Sequence, residues 1–129
     1  MRETTTTTRA RKNLGDSSEC VAAMFLEQRG YTILARNYRT RLGEIDLSAQ
    51  DAHGLAFVEV RTRRGDRLGA PEESLTPRKR APLLGTALDY LTNHAEHGER
   101  AWRIDLVAIE LDRAGRIARM NLIQGAVEE

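Results

Sequence analysis

The feature that most constrains the fold of this chain is a pair of alternating segments, residues 43–50 and 55–63, joined by residues 51–54. Polar and apolar side chains alternate along both segments, a pattern that is typical of half-buried β-strands. The connection reads Asp-Ala-His-Gly, and it carries turn-forming residues at both ends. The two segments therefore predict an antiparallel hairpin in which Gln50 lies opposite Leu55.

This register gives the hairpin one apolar face and one polar face. The apolar face holds three opposed pairs, which are Ile45 with Val60, Leu47 with Val58, and Ala49 with Ala56. A shift by one residue would move these side chains to the other face, so the pattern itself specifies the register. On the polar face, Asp46 lies opposite Glu59, and Glu44 lies opposite Arg61.

The opposed acids Asp46 and Glu59 need some form of relief, because directly opposed like charges about 5 Å apart destabilise a sheet. One carboxyl group can keep a proton through a raised pKa, or a cation such as Arg61 can neutralise the pair. A metal ion can bridge them, and oxygen ligands favour Mg²⁺ or Mn²⁺ over zinc. At a solvated edge, the two side chains can also simply point apart. Glu44 and Arg61 are expected to form an ion pair.

The rest of the chain predicts two helices and three further strands. One helix is expected from an N-cap at residues 16–18 to about Arg29, where Gly30 ends it. The other elements are a strand at 31–38, a helix that begins at Pro77 after the N-cap Thr76, and strands at 102–111 and 116–123. Pro82 is expected to kink or restart the second helix. That helix can act as a crossover between parallel strands, which predicts an α/β fold with a mixed central sheet flanked by helices.

Length and composition are those of one small globular domain. The chain has 129 residues, and we expect residues 14–125 to form a single domain after a disordered basic tail at residues 1–13. No apolar run is long enough to cross a bilayer, so no membrane association is expected. Cys20 is the only cysteine, which excludes an internal disulfide and favours a cytoplasmic location.

The charges are distributed unevenly along the chain, although the net charge is only +1. Residues 1–80 hold 15 Lys and Arg against 11 Asp and Glu, whereas residues 81–129 hold 5 against 8. The candidate phosphate-binding residues within the basic clusters are Arg39, Arg41, Arg63 and Arg64. Such clusters can contact a nucleic-acid backbone, and they are equally typical of a solvated charged surface.

Two motifs within the hairpin carry a family resemblance. Gly-Glu-Ile-Asp-Leu at 43–47 and Phe-Val-Glu-Val-Arg at 57–61 resemble the YraN-like family of uncharacterised bacterial proteins. That family resembles Holliday-junction resolvases in the PD-(D/E)xK nuclease superfamily. The likeness runs from about Leu14 to Leu111 and includes Gly15-x-x-x-Glu19, Arg39-x-x-x-Gly43, Lys79 and Arg103-Ile104-Asp105. It implies a restriction-endonuclease-like core of αβββαβ order, which matches the order of elements given above.

The resemblance also implies a site and an activity. Glu19, Asp46 and Glu59 would hold Mg²⁺ or Mn²⁺, and Asp46, Glu59, Arg61 and Lys79 would form the catalytic set. The implied reaction is hydrolysis of a phosphodiester in DNA, with branched and flap structures as candidate substrates. A homodimer follows by analogy with resolvases.

One departure from the superfamily motif leaves the function open. Arg61 stands where the motif has Lys, and an arginine stays charged, so it cannot act as a base. It can still stabilise phosphate charge or orient a water, and Lys79 is a candidate replacement for the motif Lys. A nuclease, a non-catalytic nucleic-acid-binding module and a protein-interaction adaptor are therefore the three functions considered. Asp105 is a further candidate ligand, although pairing with Arg103 or capping of the sheet edge is the preferred explanation.

Overall fold

The computed structural model of the chain is built on one five-stranded sheet with a helix on each face. It describes residues 6–65, 69–94, 96 and 100–127, without the side chains of residues 6–16, 74 and 127. In chain order the elements are α1 (Thr6–Glu27), β1 (Thr32–Arg39), β2 (Glu44–Asp51), β3 (Gly54–Arg64), a 3₁₀ helix (Pro71–Ser74), α2 (Pro77–Asn93), β4 (Trp102–Leu111) and β5 (Ile117–Val127).

The strands follow one another across the sheet in chain order, β1-β2-β3-β4-β5. Neighbouring strands are antiparallel except β3 and β4, which are parallel and are connected through α2. The predicted crossover and mixed sheet are therefore confirmed, and the architecture is consistent with a restriction-endonuclease-like core. Among the described helices, none combines the length and apolar character needed to cross a membrane.

Both faces of the sheet are buried, each under one helix. On the α1 face, Ala22 and Leu26 pack against side chains of β2, β3 and β4, including Leu47 and Val58. On the α2 face, the core consists of Ile45, Leu55, Phe57, Leu75, Leu83, Ala87, Tyr90 and Ile104. The predicted sheet flanked by helices is therefore confirmed, and α2 covers the face on which the hairpin carries Phe57 and Glu59.

Helix α1 is longer than predicted at its start and ends where predicted. It begins at Thr6 and passes residues 13 and 14 without a break, which differs from the disordered tail expected at residues 6–13; residues 1–5 of that tail lie outside the described residues. At the other end, Gly30 adopts a φ of 91°. The amides of Gly30 and Tyr31 donate to the carbonyls of Glu27 and Leu26, which closes the helix in a Schellman motif.

Helix α2 begins at Pro77 with Thr76 as its N-cap, as predicted. It runs through Pro82 without a break, although the missing amide of Pro82 removes one intrahelical hydrogen bond, to the carbonyl of Arg78. The hydroxyl of Thr86 donates to the Pro82 carbonyl at 2.8 Å. The predicted restart of the helix at Pro82 therefore does not occur. The N-terminal part of α2 lies beside the β1–β2 loop, because a Cβ added to Gly43 would lie 3.3 Å from Pro82 Cβ.

Candidate functional site

The β2–β3 hairpin is regular up to Leu47 and irregular beyond it. The predicted register is confirmed from Asp51 opposite Gly54 to Leu47 opposite Val58. The pairing of β2 with β3 ends at Leu47, so Asp46 lies outside the regular ladder. Ile45 packs on the α2 face, whereas Leu47 packs on the α1 face, so the two do not share a face as predicted. The predicted pairing of Ile45 with Val60 on one apolar face is therefore wrong, and β2 changes its facing at Asp46.

The Asp46 side chain bonds to the backbone of β3 at the point where the regular pairing ends. Its Oδ2 accepts a hydrogen bond from the backbone amide of Val60 at 2.8 Å. Burial, followed by the charge of Glu59, raises the pKa of Asp46 to about 8. The two carboxyl groups interact directly, and burial raises the pKa of both. A raised pKa favours a proton at the pair, which is one of the forms of relief considered from the sequence.

Glu59 is buried on the α2 face, with 7% of its surface exposed. Burial raises its pKa, while the Arg61 guanidinium and the hydrogen bond from Asp46 act in the opposite direction. Arg61 Nη2 lies 2.5 Å from Glu59 Oε2. A cation therefore also neutralises the pair, so that protonation and an arginine act together on the two acids.

Glu44 does not pair with Arg61, which corrects the prediction. Its Oε2 instead accepts a hydrogen bond from Arg39 Nε at 3.0 Å. Arg39 and Glu44 lie opposite each other in the pairing of β1 with β2. Because β2 changes its facing at Asp46, Arg61 forms its ion pair with Glu59 and not with Glu44. Both partners of the Arg39–Glu44 pair lie at the surface, so the pair adds little stability.

The acid pair opens into a cavity of about 420 Å³ between the sheet and the start of α2. The cavity is lined by Glu44, Asp46, Glu59, Val60, Arg61, Lys79, Pro82 and Leu83. Lys79 reaches this lining from the first turn of α2, and its charge lowers the pKa of Glu59. The structure therefore brings four predicted site residues, Asp46, Glu59, Arg61 and Lys79, into one cavity.

Glu19 lies close to this cavity but lines a different one. It projects from α1 into a cavity of about 480 Å³ with Ser17, Cys20, Arg36 and Asn37. Burial, followed by the charges of Asp46 and Glu44, raises the pKa of Glu19. Its Oε1 is buried without a hydrogen-bond partner. Glu19 is therefore near enough to Asp46 for the charge of Asp46 to raise the pKa of Glu19, and one of its carboxylate oxygens accepts no hydrogen bond.

The donor set fits a hard divalent cation in part. Asp46 and Glu59 offer carboxylate oxygens only, and Mg²⁺ is commonly held by one or two carboxylates with waters and substrate phosphates as further ligands. Within the described part of the chain, no group of three His, Cys, Asp or Glu residues is close enough to hold a metal ion. The expected third ligand, Glu19, is thus not gathered with the pair in this structure.

Positive charge surrounds the cavity. Arg39, at the end of β1, binds Glu44 of the cavity lining, and Arg41 is exposed in the β1–β2 loop. Arg78, Lys79 and Arg80 are exposed on the first turn of α2. Arg63 follows Arg61 along the same face of β3, and its Nε is buried without a hydrogen-bond partner. Arg64 lies apart from them, with its guanidinium 3.1 Å from the point where a Cβ on Gly115 would lie. Among the residues that the structure describes, none of the four predicted phosphate-binding arginines lines the cavity itself, and Arg39 is the one that contacts a residue of the lining, through its bond to Glu44.

Asp105 belongs to a separate buried network, which includes Tyr31 of the core on the α1 face of the sheet. Its oxygens accept hydrogen bonds from Tyr31, Arg103 and the amide of Gly125. Arg103 also binds Asp51 at 2.8 Å. The alternative that Asp105 pairs with Arg103 is confirmed, and this accounts for its burial without a metal ion.

The residue that the sequence analysis missed is Asn37. It lines the Glu19 cavity, and its φ of 58° makes it the one non-glycine residue with a positive φ in the described part of the chain. Asparagine tolerates this conformation better than most residues, but nothing in the local pattern marks Asn37 among the other polar residues of β1.

Comparisons with known sequences agree on one family. The model of an uncharacterised protein family, UPF0102, matches residues 18–109. The chain is 45% identical to a UPF0102 protein of Roseiflexus castenholzii over 119 residues, which is 92% of this chain and 96% of the relative. It is 44% identical to a UPF0102 protein of Moorella thermoacetica over 119 residues, which is 92% of this chain and 98% of the relative.

Proposed function

The chain belongs to the uncharacterised family UPF0102, also known as the YraN family, and this membership brings no activity with it. From the site itself, we propose that the protein hydrolyses phosphodiester bonds in DNA with a divalent metal ion. The observation that carries the proposal is the buried pair of Asp46 and Glu59 in a cavity that Arg61 and Lys79 also line. The resemblance to resolvase-like nucleases agrees with it.

The acid pair is suited to a cation because its present state is costly. Two carboxyl groups buried together have raised pKa values, which favour a proton at the pair, and a guanidinium is bound to Glu59. A divalent ion would replace the proton and supply Lewis-acid activation of a phosphate and a water. The Val60 amide would keep the Asp46 carboxylate in place through its hydrogen bond at 2.8 Å. A carboxylate that is already oriented by the backbone loses less entropy when it binds an ion.

The two cations of the cavity have different tasks in this proposal. Arg61 is bound to Glu59 and stays charged, so it stabilises negative charge on a phosphate and takes no proton. Lys79 stands on the first turn of α2 and has no ion-pair partner recorded among the described residues. It is the group in the cavity that is free to turn toward a bound phosphate or to orient the attacking water.

The rim of the cavity matches an extended polyanion better than a small phosphate ester. Arg41 and Arg80 are exposed, and Arg63, whose Nε is buried without a hydrogen-bond partner, adds positive charge on β3. Such residues would bind neighbouring phosphates of a strand whose scissile bond lies at the acid pair. The net charge of +1 does not oppose this, because the positive charge is concentrated where the substrate would lie.

The test is cleavage of labelled DNA by the purified protein with Mn²⁺ or Mg²⁺. The panel contains duplex, single-stranded, flap and four-way-junction DNA. We expect cleavage of at least one form, which Asp46→Asn and Glu59→Gln abolish. Glu27→Gln, which removes an exposed carboxyl on α1, is the matched control and should cut as the wild type does. Calorimetry with Mn²⁺ on the same proteins separates loss of the ion from loss of chemistry.

A second candidate, a nucleic-acid-binding module without turnover, is favoured by one observation. Arg61 occupies the motif position for a lysine and is held on Glu59 at 2.5 Å. Among the described residues, Lys79 is then the one other amine or guanidinium in the cavity lining. Salt-dependent DNA binding that survives Glu59→Gln, without cleavage of any form in the panel, would support this function. Absence of both cleavage and DNA binding at low salt would contradict both candidates and favour a protein-interaction role.

A further inference from the structure

Asn37 combines a costly backbone conformation with a position beside the site. A φ of 58° is unfavourable for a residue with a side chain, and it persists only where the surrounding structure imposes it. Asn37 lies between two residues that pair with β2, Arg36 opposite Leu47 and Tyr38 opposite Ile45. It therefore stands next to Asp46, at the point where β2 changes its facing.

The backbone of Asn37 accounts for that change of facing. Without an irregularity, Ile45 and Leu47 would point to the same side of the sheet. In the structure, they pack under different helices, although both remain paired with β1. A left-handed residue in β1 lets both strands change, at the same point, the face to which their side chains point. Asp46 then leaves the hydrogen-bond ladder with β3, and its carboxylate reaches the Val60 amide.

The side chain of Asn37 lines the same cavity as the Glu19 carboxylate. The Asn37 side chain lowers the pKa of Glu19 and so opposes the effect of burial on that group. Glu19 Oε1 remains buried without a partner, while Asp46 and Glu44 repel the same carboxylate. An acid that is repelled from two sides and is partly buried needs such a polar neighbour to stay where it is.

We propose that Asn37 is a positioning residue for the proposed metal site. Its backbone places Asp46, and its amide keeps Glu19 in the neighbouring cavity, from which Glu19 would move to complete the ligand set when an ion binds. The inference rests on the proposed metal-dependent function, and it adds a residue that touches neither ion nor substrate. Groups that orient metal ligands typically contribute about 10–100-fold to metal affinity. The unused Oε1 of Glu19 is the atom that this arrangement keeps available.

The two tasks of Asn37 can be separated by substitution. Asn37→Gly keeps the left-handed backbone at no steric cost and removes the amide, whereas Asn37→Ala removes the amide and also disfavours the backbone. We expect Asn37→Gly to bind Mn²⁺ about tenfold more weakly than wild type, as measured by calorimetry. Asn37→Ala should bind Mn²⁺ more weakly still. The Val60 amide should exchange its hydrogen faster in Asn37→Ala than in Asn37→Gly, because Asp46 is misplaced only in the former.

The control is Asn93→Ala, which removes an amide that binds the carboxylate of Asp89 on α2, away from the acid pair. It should leave Mn²⁺ affinity unchanged. Glu19→Gln should weaken Mn²⁺ binding as Asn37→Gly does, and the double variant should be no weaker than either single one. Wild-type Mn²⁺ affinity in Asn37→Gly would overturn the role of the amide, and equal Val60 exchange in the Gly and Ala variants would overturn the role of the backbone.

Failure of the proposed function has a different signature. If the wild type binds no Mn²⁺, the metal-dependent activity and the ligand role of Glu19 are both contradicted. The exchange of the Val60 amide, which needs no metal, still decides whether Asn37 places Asp46. A double-variant cycle of Asn37→Gly and Glu19→Gln, read from unfolding midpoints in EDTA, likewise decides whether the two side chains interact.

Discussion

Arg61 lies 2.5 Å from Glu59, two residues away on the same face of β3, and the resemblance to PD-(D/E)xK nucleases implies a lysine where this arginine stands. The arrangement neutralises a buried acid with a cation that keeps its proton. In the proposed metal site, the arginine would therefore stabilise Glu59 before an ion binds, at the expense of proton transfer.

Replacing Arg61 with lysine should increase cleavage if proton transfer limits the rate. Lys keeps the charge beside Glu59 but can lose its proton in a partly buried site, so Arg61→Lys should cut DNA about tenfold faster than wild type, with a rate that rises with pH. The measurement is single-turnover cleavage between neutral and alkaline pH. A rate equal to or below that of the wild type would show that Arg61 does not limit the chemistry.

The acid pair should make the stability of the protein fall as pH rises. Asp46 has a folded-state pKa of about 8 and an ordinary value of 3.8, so the folded state binds the proton more tightly than the unfolded state. The stabilisation is complete below the ordinary pKa and is lost as pH rises through the folded pKa. Urea midpoints in EDTA should thus decline between roughly pH 4 and pH 8, and Asp46→Asn should flatten the decline. An unchanged slope in this variant, with Glu27→Gln as reference, would be inconsistent with a proton on Asp46.

Asp105 should matter for stability and not for the ion. Asp105→Ala leaves Arg103, Tyr31 and the Gly125 amide without their shared partner, which should lower the free energy of unfolding by about 3 kcal/mol. Mn²⁺ affinity of the folded variant should equal that of the wild type. Calorimetry below the unfolding transition checks this, and a weaker affinity would reinstate Asp105 as a ligand.

The hairpin turn should tolerate no side chain at Gly54. A Cβ there would lie 2.3 Å from the carbonyl oxygen of Ala101, and φ is 144°, so Gly54→Ala combines a clash with strain. We expect a loss of about 3 kcal/mol in unfolding free energy. Gly30→Ala is the matched variant, since φ is 91° and nothing lies within 4 Å of the added Cβ, and it should cost about 1 kcal/mol. Equal losses in the two variants would show that the contact with Ala101 is not limiting.

Arg41 should contribute to DNA binding through phosphate charge alone. Arg41→Ala should weaken binding to all DNA forms and reduce the slope of log affinity against log salt by about 0.9. Arg29→Ala is the control, because Arg29 lies just after α1, beside the Gly30 turn at the other end of the sheet, where it stacks on Phe25. If the two variants change the slope equally, DNA does not approach from the side of the β1–β2 loop.

The sequence predicted the parts of this molecule that depend on local periodicity. The pairing of Leu47 with Val58 follows from a two-residue alternation, and the start of α2 follows from Thr76 and Pro77. The meeting of Asp46 and Glu59 was also predictable, although the regular ladder assumed for it ends at Leu47. The acids meet because β2 leaves the ladder, which is a different cause from the one assumed.

What could not be predicted depends on contacts between distant segments. The change of facing at Asp46 involves the backbone of Asn37 in another strand, and hydrophobic alternation within β2 carries no sign of it. Arg61 was assigned to Glu44 because the ladder was extended past its end. The early start of α1 at Thr6 could not be predicted, because residues 6–13 show no apolar periodicity.

The irregularity of β1 also bears on how copies of this chain can associate. β1 is an edge strand, and besides Asn37 it has a shift in pairing between Ile33 and Ala35. The opposite edge, β5, has two such shifts against β4, and Gly125 has a φ of 62°. Edges broken in this way are poor templates for adding a strand from another molecule. A homodimer of this protein would therefore form through helices or loops, and the conformation that serves the acid pair also protects the sheet from aggregation.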